Sequence, residues 1–217
     1  MTRNHSPYLR VRHGVRFVAG LAAIWATIPV ESASGHDFWI EPSKFRPAVG
    51  EEVRISLRVG EHFKGEPVAR NPEKIEQFVV AGPDGTKPVA GKDGADPAGL
   101  INPAVPGVYA VGYRSKRSSI ELEAAKFEEY LKEEGLDKIA EIRAQRGESD
   151  KAGREVYSRS CKSLLMVGGE DAGFDRRLGM TLELVPQRSP FSLRQSADLP
   201  IILLHEGKPV EGVEVRR

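Results

Sequence analysis

The chain has 217 residues, 40% hydrophobic and 29% charged, a balance that excludes a disordered polymer and leaves room for one large domain or two small ones. A formal net charge of +1 excludes the global basic field that nucleic-acid binding needs. The single cysteine, Cys161, excludes an internal disulfide and any cysteine-based zinc or iron–sulfur centre, and such a thiol is expected to be buried.

Residues 1–16 form a basic leader carrying Arg3, Arg10, Arg12 and Arg16. Phe17 to Val30 is an unbroken apolar run, and the small-residue exit Glu31-Ser32-Ala33-Ser34-Gly35 follows it. This order predicts a cleaved secretion signal over 1–35. The run is shorter than the roughly 20 apolar residues of a spanning helix. A cut after Gly35 puts Gly35 and Ala33 in the two small-residue slots and makes His36 the first mature residue. A cut after Ser34 uses Ser34 and Ser32. A cut after Ala33 leaves Ser34-Gly35-His36, itself a copper- and nickel-binding sequence, but places Glu31 where a small side chain is wanted. Loss of four arginines and one glutamate leaves 28 basic and 30 acidic residues, a net charge of −2.

Along the mature chain, His36 to Ile40 reads as a first strand ended by Pro42. Val53 to Val59 alternates apolar and polar with period two and is the clearest strand. Ile75 to Val80 is another, closed by the turn Gly82-Pro83-Asp84-Gly85. Pro106-Gly107 launches Val108 to Tyr113. Strands this short, separated by turn residues, predict a mainly β, antiparallel β-sandwich over 36–195. A helical insertion is expected at about 121–146, broken at Gly135, with i,i+4 pairs Glu128–Lys132 and Glu134–Lys138. Its apolar stripe is expected to pack on the sandwich. Glu148 to Arg154 reads as a loop, and Val156 to Val167 carries no clear period. Met180 to Val185 reads as a strand. After a linker over Ser189 to Asp198, Pro200 to Leu204 and Val210 to Val215 read as a hairpin. Residues 196–217 are therefore expected to open a second β-module whose remainder lies beyond Arg217.

No nucleophile elbow, phosphate loop, zincin motif or dinucleotide fingerprint is present, so the chain reads as a non-enzyme with no organic cofactor. The histidines narrow the chemistry. His5 and His13 leave with the signal, His205 sits at an exposed strand end, and His36 and His62 remain. A terminal His36 offers an α-amine, with a pKa of about 8, and an imidazole to one ion. His62 follows the clearest strand, so pairing of the first two strands brings it to the same end of the sheet. Asp37 and Glu61 are the nearest oxygen donors. Imidazole nitrogens favour copper, nickel and zinc.

Several motifs carry a resemblance. His36-Asp37-Phe38-Trp39-Ile40-Glu41-Pro42, Val59-Gly60-Glu61-His62-Phe63 and Gly65-Glu66-Pro67 resemble the start of domain of unknown function 4198. So do Lys126 to Leu131, Glu133-Glu134-Gly135-Leu136, Tyr157-Ser158-Arg159 and Lys162-Ser163-Leu164, so that the resemblance spans about 36–217. It implies an exported bacterial protein, a NikM-like periplasmic component of nickel or cobalt uptake. It also implies a transthyretin-like or carboxypeptidase-regulatory-like C-terminal module, and His36 as first mature residue and metal ligand. The expected function is thus a periplasmic metal-binding protein partnered by a membrane transporter. A second reading is a module that recognises a glycan or an outer-membrane receptor, with Trp39, Tyr109 and Tyr113 as contacts. A third is a copper oxygenase built on the terminal histidine.

Overall fold

Val53, Ile55 and Leu57 stand two residues apart and are at most 1% exposed, while Arg54 between them faces solvent. That alternation is what a strand with one buried face requires. The computed structural model describes residues 37–213; the signal expected over 1–35, and His36, lie outside the described residues. The first elements are β1 (Asp37–Pro42), β2 (Val53–Glu61), β3 (Lys64–Val68), β4 (Ile75–Gly82), β5 (Gly85–Pro88), β6 (Gly99–Ile101) and β7 (Gly107–Ser115). Then come β8 (Ser118–Leu122), α1 (Ala124–Glu133), α2 (Asp137–Gln145), β9 (Gly153–Tyr157) and β10 (Ser160–Val167). The last are β11 (Leu182–Pro186), β12 (Ile201–His205) and β13 (Lys208–Pro209).

One sheet sets β2 between β1 on one side and β3 and β6 on the other; a second runs β10-β7-β4-β5. All their ladders are antiparallel, and neither sheet closes into a barrel. Ile40, Ile55 and Leu57 from the first sheet meet Phe78, Val111 and Leu165 from the second in one core. The fold is mainly β, as the alternation predicts. Cys161 packs half-buried against this core, in keeping with its expected place.

β7 departs from simple alternation because both its faces are covered. Val108 and Ala110 are 0% exposed, and so is Val111 on the other face. The segment after β10 lies across the outer face: Val108 donates its N–H to the Ala172 carbonyl at 2.9 Å, and a methyl group at Gly112 would come within 2.4 Å of Leu178. Tyr109 and Tyr113 are consequently core residues, 3% and 5% exposed, and not contact aromatics.

The insertion begins and ends on strands. Glu121 and Leu122 belong to β8, which pairs with β9, so the helices rise from a two-stranded ribbon. The segment expected as a loop enters β9 at Gly153. α1 buries Phe127 and Leu131, one helical turn apart, and ends at Gly135, whose φ is +68°. Leu136 donates to Leu131 and Gly135 to Lys132, a pairing that satisfies the last carbonyls. The expected Glu128–Lys132 pair is replaced by a bond from Arg143 to Glu128 at 2.9 Å. Arg143 also donates to the carbonyls of Glu148 and Lys151 and lies over the Phe127 ring, so one side chain ties both helices to the returning chain. α2 buries none of its residues, and Ile139 and Ile142 stay exposed, contrary to the packed stripe expected there.

β11 pairs with β12, and β12 with β13, in a three-stranded antiparallel sheet. That ladder crosses the boundary expected at 195/196. The second strand expected at Val210 to Val215 is instead the two-residue β13, and 214–217 lie outside the described residues.

Candidate functional site

The β2–β3 hairpin carries the predicted donors. Glu61 stands opposite Lys64 and Gly60 opposite Gly65, which leaves His62 and Phe63 as a two-residue loop. Such loops need a left-handed backbone at both central positions and usually take Asn-Gly. Here His62 has φ +52° and Phe63 φ +58°. For side chains of this size the left-handed region costs roughly 1–2 kcal/mol per residue. The glycines below the loop let the two strands close: a methyl group at Gly60 would stand 2.2 Å from the Lys64 carbonyl oxygen, and one at Gly65 2.2 Å from that of Val59.

β1 runs antiparallel to β2, with Asp37 opposite Gly60. The strand pairing expected from sequence is therefore present, and it sets Asp37 at the end of the sheet where Glu61 and His62 lie. All three are exposed. Among the described residues, no group of three or more His, Cys, Asp and Glu side chains converges closely enough to hold a metal ion. His36 lies outside the described residues. His205 is exposed at the end of β12, as expected.

Two features at this end of the fold were not read from the sequence. The first is an aromatic corner. Trp39 is on the outer face of the first sheet, where a methyl group at Gly65 would lie 2.7 Å from its Cη2, and Phe63 meets it edge-on at 5.8 Å and 76°. Phe63 is 77% exposed. Beside Trp39, Arg58 donates to Glu41 at 2.6 Å and lies 3.7 Å from Asp96. The bond to Glu41 holds its guanidinium above the ordinary arginine range. The sequence carries no signal for this corner, since neither His62 nor Phe63 is a residue that marks a tight turn.

The second is a groove of about 630 Å³ between the sandwich and the three-stranded sheet, walled by Phe38, Trp39 and Cys161 on one side and Leu182, Leu184 and Leu203 on the other. Its charged members satisfy each other: Lys162 donates to Glu183 at 2.7 Å, their side chains being 7% and 2% exposed. Glu183 also accepts from the backbone N–H groups of Leu178 and Gly179. The pair pins the segment that covers β7. Burial pushes the Cys161 thiol up to about 12, so it offers no thiolate near neutrality.

No curated protein and no solved structure matches this chain. A family model described as domain of unknown function does match, over residues 33–216. The chain therefore belongs to that family, DUF4198.

Proposed function

We propose that this chain is an exported metal-binding protein of the bacterial cell envelope, working beside a membrane transporter for nickel, cobalt or a similar transition-metal ion. The observation that carries the reading is the β1–β2 ladder, which sets Asp37 at the sheet end that bears Glu61 and His62. Cleavage before His36 adds an α-amine and an imidazole immediately before Asp37. The strained backbone at His62 adds support, since left-handed non-glycine residues concentrate at ligand clamps.

The chemistry is reversible capture. The amine and imidazole of His36 chelate the ion, His62 adds a nitrogen, and Asp37 or Glu61 supplies an oxygen or orients a ring. Copper binds tightest in vitro, whichever ion the cell loads. Protons compete for the same nitrogens, so affinity falls on acidification. Calorimetric titration of the protein beginning at His36 with nickel and with copper tests this. His36→Ala is expected to weaken binding at least tenfold, and His62→Ala less, because the two-nitrogen chelate survives. Unchanged affinity in both variants would sink the reading.

A further inference from the structure

We propose that the Trp39–Phe63 corner on the outer face of the first sheet docks a basic segment of a partner protein, one arginine or lysine side chain seating against the two rings. Side chains on a strand alternate between faces, so Asp37, Trp39 and Glu41 share the outer face with Arg58 and Ser56 of β2. The neighbours of Trp39 toward the hairpin tip, Gly60 and Gly65, carry no side chain to cover the indole. Phe63 stands across it at 76° and is 77% exposed. Its left-handed backbone, unfavourable for a bulky residue, holds the ring at the tip.

Charge selects the occupant. On this face stand the acids Asp37 and Glu41 and the base Arg58, which is engaged by Glu41 and by Asp96; Lys162, which lines the groove beside Trp39, is taken up by Glu183. By register Lys64 and Glu66 belong to the opposite face, and the Glu66 charge reaches Arg58 and adds to the acidic surroundings. Arg54, the next base on the outer face, is four residues from Arg58, about 13 Å along the strand. Aromatic faces with an acidic rim attract a cation, indole most strongly among the aromatic rings. An anionic polymer is repelled by the same rim.

The inference does not rest on metal binding, and its test is run in a chelator so that the two fail separately. The full chain is titrated by calorimetry with amidated tetra-arginine, tetra-glutamate and chitotetraose. Tetra-arginine is expected to bind, and Phe63→Ala to weaken it about fivefold while leaving the thermal midpoint within a few degrees. Equal binding by the wild type and Phe63→Ala would reduce the effect to general attraction and overturn the proposal. So would the absence of tetra-arginine binding, and a Phe63-dependent affinity for chitotetraose alone would assign the face to a glycan instead.

Discussion

His62 and Phe63 hold a left-handed backbone that most side chains avoid, and the fold carries that cost at an exposed tip where Phe63 meets Trp39 edge-on. Replacing His62 with Gly is therefore expected to stabilise the protein by about 1 kcal/mol while weakening metal capture, read by thermal unfolding beside calorimetry. A loss of stability would show that the imidazole has a structural partner. Cys161 makes the opposite case, a reactive group silenced by its surroundings. Burial raises its thiol from an ordinary value near 9 to about 12. The folded chain thus keeps a proton that the unfolded chain releases between those values, so stability falls as pH rises through that window. Burial raises Tyr113 in the same direction. Alkylation of Cys161 at pH 8 is expected to be at least tenfold slower in the native protein than in urea. The sequence foretold this burial, because a lone apolar-sized thiol has no better place. It did not foretell the loop strain, because nothing in Glu61-His62-Phe63-Lys64 marks a tight turn by composition.

The elements most legible in the sequence were those with one buried face. β2 alternates cleanly, and its boundary was missed only at the hairpin, where the ladder runs on to Glu61. β10 was unreadable because it is flanked by the core on one face and by the segment bearing Leu178 and Glu183 on the other, which erases the period. The helical insertion was placed correctly around its break at Gly135 but entered too early, since Glu121 and Leu122 suit a helix and a ribbon equally. Its hold on the ribbon depends on Gly153, where a methyl group would lie 2.0 Å from the Phe127 ring. Gly153→Ala is accordingly expected to cost about 1–3 kcal/mol by overpacking, measured by urea unfolding. A neutral result would mean that Phe127 does not sit over the strand.

At the scale of the whole molecule, two sheets share one core and the chain then returns over β7, pinned by Lys162 and Glu183. Neither charge could be identified as buried from sequence, since the alternation around Glu183 reads equally as an exposed acid. Lys162→Met leaves Glu183 buried without its cation and is expected to cost about 3 kcal/mol in urea unfolding. The same long-range placement governs the candidate site. Sequence suggested that the first two strands pair, and they do, but the exposed Trp39–Phe63 corner depends on a register that no local pattern encodes. The central claim is capture of a transition-metal ion by a terminal His36 with help from His62. It is tested most directly by calorimetric titration with nickel of two proteins, one beginning at His36 and one carrying an extra methionine before it. The account predicts that the methionine weakens binding as much as His36→Ala does; equal affinity of the two proteins would contradict it.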